Sequence, residues 1–230
     1  MGKYNSFFDA VICVNLARRS KRWQNVQGEL AKLKSWPFAD LERFVATDCL
    51  RLDIPKRVRI SDGSYGCNLT YRRVLESCLK RMCVRVLILQ DDIAFHPDFE
   101  VQLDNFLPHV PSFWRGMHFG GDSGSCGDPL PNATRLNEHV SQTRYILGCH
   151  AIALQEPGIS KLSELLSTYF EYEHFDRIIT KMQQSHWYCP NETLISSKRE
   201  EFPSETQPWG LVDRMSAPMG RQPRKPLKIL

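Results

Sequence analysis

The run Val84-Arg85-Val86-Leu87-Ile88-Leu89-Gln90-Asp91-Asp92-Ile93 sets apolar, β-branched-rich residues on successive positions and then stops on two carboxylates. A strand apolar on consecutive positions is covered on both faces, the habit of a parallel sheet in an α/β protein. Phe8 to Leu16 has the same character and predicts a first buried strand. Ser20 reads as the N-cap of a helix reaching about Lys34. Phe38 to Thr47 predicts a second strand, and Ser61 to Gly66 a turn into a helix from about Asn68 to Met82. Beyond the acidic pair, Phe99, Leu103, Phe106 and Leu107 recur at helical spacing. Trp114 to Phe119 predicts a strand that runs into a Gly-rich loop, Gly120 to Gly127, and the chain to Glu138 reads as irregular. Tyr145 to Leu154 predicts a strand, Pro157 to Thr168 a helix and Arg177 to Met182 a short helix. Trp187 to Pro190 and Thr193 to Ile195 read as edge strands. Strands alternating with helices predict an α/β fold, a mostly parallel sheet flanked by helices in a single domain over residues 1–200. Residues 201–230 are rich in Pro and basic side chains and read as a disordered tail.

This pattern tells where chemistry belongs. Open α/β sheets bind ligands just outside the carboxyl ends of their strands, which is where Asp91 and Asp92 fall. Adjacent carboxylates repel, and stay ionised cheaply only when a cation or hydrogen-bond donors compensate them. Mg2+ or Mn2+, hard ions that take oxygen ligands, fit that requirement. The plainer reading is a loop start in which one Asp caps the next turn. A Walker-B-like strand end would need a G-x-x-x-x-G-K-[ST] loop. None occurs, which excludes a P-loop nucleotide hydrolase. Asn15, Arg18 and Arg22 leave the end of the first strand and would face a nucleotide or its phosphates. Alternatively they form a solvated basic first turn, which the helix dipole disfavours. His150, in an apolar strand, reads as a hydrogen-bonded core histidine, with a ligand role left open. Asp122 opens the Gly-rich loop.

Composition narrows the classes further. A length of 230 residues suits one domain with a real core. The net charge of +4 favours anionic ligands. The basic residues form no stripe with interleaved aromatics, which speaks against a nucleic-acid partner. Eight cysteines without a C-x-x-C pair give no support for structural zinc. Cys13 and Cys149 lie in apolar runs and read as core residues. No signal peptide and no apolar stretch of membrane-span length is visible, so a reduced cytoplasmic protein is expected.

The motifs in order resemble glycosyltransferase family 25, the lipooligosaccharide-core sugar transferases and collagen galactosyltransferases. The matching residues are Val14-Asn15-Leu16-Ala17-Arg18 with Arg22, Ala46-Thr47-Asp48, Gly63-Ser64-Tyr65-Gly66-Cys67 and Val86-Leu87-Ile88-Leu89-Gln90-Asp91-Asp92. Downstream, Ala151-Ile152-Ala153-Leu154 and Phe175-Asp176 are similar to the family's later strand and Val-Asp pair. The resemblance implies a GT-A-like nucleotide-binding fold and metal-dependent, inverting transfer of a sugar, as a UDP-hexose, to a glycan or lipid-linked glycan acceptor. It makes Asp92 the principal metal ligand with Asp91 beside it, and puts Asn15, Arg22 and Asp48 in the nucleotide pocket, where Arg18 joins them. Inverting transfer also needs a carboxylate to take the acceptor proton, assigned to Asp176 with Asp122 in reserve. Such acceptors leave room for peripheral membrane contact. The chain departs from the family at Gln90, where Glu is usual, and at Thr70-Tyr71, where Ser-His is usual. Losing a carboxylate at Gln90 keeps a second reading open, a non-catalytic module that binds a sugar nucleotide or glycan.

Overall fold

The computed structural model describes residues 2–122, 133–198 and 201–202. Val86 to Leu89 are fully buried, and their strand, β3 (Arg85–Gln90), lies inside the sheet. On one side it pairs in parallel with β1 (Ala10–Asn15), which pairs in parallel with β2 (Leu41–Val45). On its other side runs β8 (Leu147–Gln155), antiparallel. The sheet continues through β5 (Gly116–Asp122), β9 (Trp187–Pro190), β7 (Val140–Thr143) and β6 (Ala133–Arg135). β5 and β9 are parallel, whereas β7 opposes both of its neighbours. Among the described strands of this sheet, β7 and β8 alone therefore run against the common direction. A separate two-stranded ladder joins β4 (Ile93–Phe95) to β10 (Ile195–Ser197).

Alternation along β1 and β3 divides the core. Ile12, Val14, Val86 and Ile88 face α2 (Asp62–Lys80), α4 (Gly158–Tyr169) and α5 (Phe175–Thr180), through Val74, Leu75, Leu162, Leu166 and Ile178. Val11, Cys13, Leu87 and Leu89 face α1 (Ser20–Lys32) and α3 (Phe99–Phe106), through Val26, Phe99, Leu103 and Phe106. The α/β class with helices on both faces is as the pattern predicted. Among the described residues no helix is long and apolar enough to cross a membrane.

Several boundaries differ from expectation for local reasons. α2 begins at Asp62, because the Ser61 hydroxyl accepts from the Ser64 amide and makes the predicted turn the first turn of the helix. Ser20 is the first helical residue of α1, and its N-cap is Arg19, without a side-chain cap bond. Gly120 and Gly121 extend β5 rather than starting a loop. A Cβ on Gly120 would fall on the Ile195 carbonyl, so only glycine lets β10 cross β5 this closely. β9 is interior, not an edge, because the hairpin of β6 and β7 covers its outer side. The rest of the predicted Gly-rich loop and of the predicted tail lies outside the described residues.

Candidate active site

One open cleft, with about 1120 Å³ of empty space including its mouth, lies at the carboxyl ends of the first three strands. Val14 and Leu16 come from the end of β1, Ala46 and Thr47 from beyond β2, and Gln90, Asp91 and Asp92 from the end of β3. The start of α2 supplies Gly63, Ser64 and Cys67, and the start of α5 supplies His174, Phe175 and Asp176. Two nominated groups far apart in sequence, the acidic pair and Asp176, thus share one wall system. Asp91 is 6% and Asp92 5% exposed.

The two carboxylates are not equivalent. Both oxygens of Asp91 are engaged: Asn15 Nδ2 donates to Oδ2 at 2.6 Å and Arg22 Nη1 to Oδ1 at 2.8 Å. Asn15, 1% exposed, is itself held by Arg43, which donates to its Oδ1 from Nε at 3.0 Å and from Nη2 at 2.5 Å. Arg22 Nη1 reaches Asp92 Oδ2 only at 3.4 Å. Asp92 Oδ1 is buried with no hydrogen-bond partner among the described residues. Burial pushes the Asp92 carboxyl pKa up, Arg22 opposes that rise and Asp91 adds to it.

This donor set answers whether a divalent cation fits. Asp92 Oδ1 is an anionic oxygen without a partner, the kind of ligand such an ion takes. Among the described residues no group of three His, Cys, Asp or Glu side chains is placed to hold a metal. A cation here would complete its coordination with water and substrate phosphate oxygens, as Mg2+ commonly does.

The other nominated residues divide into two groups. Arg22 lines the cleft, but Arg18 Nε is 2.9 Å from Asp48 Oδ2 and neither lines it. Asp48 also caps a short turn through the Leu50 amide. Asp176 stands in the first turn of α5 and its Oδ2 accepts a long 3.3 Å bond from the Gly148 amide, where β8 takes φ 82°. Asp122 is the last residue of β5, and its side chain lies outside the described residues. Gln90 points to the α2 face, opposite to Asp91, and donates to the Tyr71 hydroxyl at 3.2 Å. That hydroxyl donates to the Cys149 carbonyl, and the Tyr71 ring stacks on Phe175 at 3.6 Å. His150 is 2% exposed and bonds the Ile195 carbonyl at 3.0 Å.

Sequence reasoning missed one linked pair. Ser64 Oγ and His174 Nδ1 are 2.7 Å apart at the cleft wall, and Ser61 Oγ is 2.8 Å from Ser64 Oγ. Burial lowers the His174 pKa, while Asp176 raises it. With the partners 110 positions apart, no motif spacing could have joined them.

No family model matches the chain, and no curated protein matches it in sequence. Solved structures to which the chain is similar include a glycosyltransferase involved in glycosylation of the major capsid of PBCV-1, at 6% identity over 78% of this chain and 80% of that one, TM-score 0.44. Another is a mannose-1-phosphate geranyltransferase from Thermus thermophilus, at 10% identity over 81% and 75%, TM-score 0.41. A third is a Drosophila galactosyltransferase 7 mutant in complex with manganese, UDP-Gal and xylobiose, at 10% identity over 94% and 81%, TM-score 0.42. Likeness of this degree assigns no residue of the present chain a role.

Proposed function

We propose that the chain is a glycosyltransferase that moves a hexose from a UDP-sugar to a glycan hydroxyl with inversion, assisted by Mn2+ or Mg2+. The observation that carries this reading is the convergence of the Asp91-Asp92 pair and Asp176 on one cleft at the strand ends. Asp92 would hold the cation through its unpartnered Oδ1, with Asp91 and its Asn15–Arg43 support fixing the strand end beside it. A cation there would neutralise charge on the leaving diphosphate. Asp176 would take the acceptor proton. Arg22 would contact the nucleotide from the cleft wall and Asn15 would act from beneath through Asp91, while Arg18 and Asp48, paired outside the cleft lining, would meet only a part of the nucleotide that extends beyond it. The acceptor would be a free or lipid-linked glycan, the latter bringing peripheral membrane contact to a cytoplasmic protein.

Calorimetry of the full chain with UDP tests this. Mn2+ should tighten UDP binding, and Asp92→Ala should abolish the gain. Equal affinity with Mn2+ and with chelator would overturn it. The guanidinium already seated on Asp91 favours a second reading, a sugar-nucleotide or glycan-binding module without turnover. Donor hydrolysis or transfer from a UDP-sugar with added Mn2+ separates the two.

A further inference from the structure

We propose that Arg22 is a resident counter-ion of the Asp91-Asp92 pair, clamped there by Phe202, and that a divalent cation and a diphosphate displace it together. The inference rests on the reading of this pair as a metal site. It adds a device that sets how tightly the site takes its metal.

The clamp is built from both sides. Nη1 of Arg22 serves Asp91 at 2.8 Å and Asp92 at 3.4 Å. Its Nη2 donates to the Phe202 carbonyl at 2.8 Å, and the Phe202 ring lies 5.6 Å from the guanidinium carbon. Phe202 is positioned by its own amide, which donates to the Lys198 carbonyl at 2.9 Å. The Lys198 amide in turn donates to the Asp92 carbonyl at 2.6 Å. Lys198 Nζ ties the same segment to α1, at 2.8 Å from Asn25 Oδ1 and 2.9 Å from Glu29 Oε1. Lys198 thus grips the main chain of the acidic pair, and Phe202 the side chain that neutralises it.

The electrostatic consequence is direct. Two ionised carboxylates offer an entering dication a charge of −2, and Arg22 leaves −1. The guanidinium repels the dication and occupies an oxygen of Asp91 that would share its charge. Among the described residues Asp92 Oδ1 has no partner, while Nη1 of the guanidinium faces Asp91 Oδ1 and Asp92 Oδ2. A diphosphate at the cleft mouth offers that guanidinium a bidentate partner, which it prefers. Moving there, Arg22 would exchange carboxylates for phosphate while the cation takes the carboxylates. Cation and diphosphate then strengthen each other's binding, by the reciprocity of linked equilibria.

The test measures Mn2+ affinity of the full chain without nucleotide, from the EPR signal of free Mn2+. Arg22→Gln should bind Mn2+ tighter than wild type by on the order of tenfold or more, since a like charge within a few ångströms of the ion is removed. Phe202→Ala keeps both carboxylates and Arg22 but loosens the clamp, and should tighten Mn2+ by roughly two- to fivefold, the worth of the ring contact. UDP should raise Mn2+ affinity more in wild type than in Arg22→Gln, which has no guanidinium to hand over. If both variants bind Mn2+ no tighter than wild type, while Asp92→Asn removes that binding, the counter-ion role is overturned and the metal site stands. If neither wild type nor variant binds Mn2+, with or without UDP, both readings fall.

Discussion

Replacing Asp176 by Asn separates a catalytic carboxylate from a structural one, because the surroundings of Asp176 make its structural value small. Asp176 sits in the first turn of α5, whose N-cap is His174. Its charge there gains about 0.3–1 kcal/mol from the helix dipole. Among the described residues Asp176 accepts a 3.3 Å bond from the Gly148 amide and a bond from the Cys149 thiol, and an Asn carbonyl can accept both. Asp176→Asn should therefore cost no more than about 1 kcal/mol of unfolding free energy. UDP affinity should be unchanged, because the substituted group belongs to the acceptor's proton and not to the donor. Transfer should fall by about 10²–10⁴-fold if this carboxylate removes the acceptor proton. The assay is release of UDP from a panel of UDP-hexoses with Mn2+ and a glycan acceptor, beside urea unfolding and calorimetry on the same sample. Near-normal transfer by a folded, UDP-binding variant would refute the role and move the base to Asp122. A loss of several kcal/mol in stability would instead show that the carboxylate holds β8 against α5.

Two further outcomes concern the scaffold. His118 is fully buried, Gln183 Nε2 lies 2.9 Å from its Nε2, and burial pushes its pKa down to about 3. The unfolded chain then binds a proton that the folded one does not, so stability holds above about pH 6.5 and falls as pH drops from there towards about 3, at up to about 1.4 kcal/mol per pH unit for this group. Urea unfolding from pH 7 to 4 should show His118→Gln losing one proton's worth of that slope, and an unchanged slope would remove His118 as its source. Gly120→Ala puts a methyl on the Ile195 carbonyl and should destabilise by about 1–3 kcal/mol or more; a loss under 0.5 kcal/mol, roughly the level of a neutral surface change, would mean that β10 does not hold this position.

How much of this was legible in sequence follows from the range of each interaction. The burial of β3 and the placing of Asp91 and Asp92 at a strand end need only local pattern and the rule for open sheets. The acidic pair also announced that a cation or hydrogen-bond donors must compensate it, and that demand is met equally by a metal or a guanidinium. Arg22 lies 69 residues from Asp91, so nothing local chooses between the two. One sign of the choice was readable: α1 has no acidic residue in its first turn and carries Arg22 there, against its own dipole. An unfavourable local charge implies a tertiary partner, and the partner is the acidic pair. The interior position of β9 was hidden for a different reason. Its cover is the hairpin of β6 and β7, whose three- and four-residue strands are too short to show an alternating pattern. Gln90 shows the same limit at the site itself. As a letter it is a missing carboxylate, whereas in the fold its amide holds the Tyr71 hydroxyl on the α2 face. A Glu at that position would first have to give up a donor to Tyr71, so the departure at Gln90 bears on the cleft wall as directly as on any ion above Asp92.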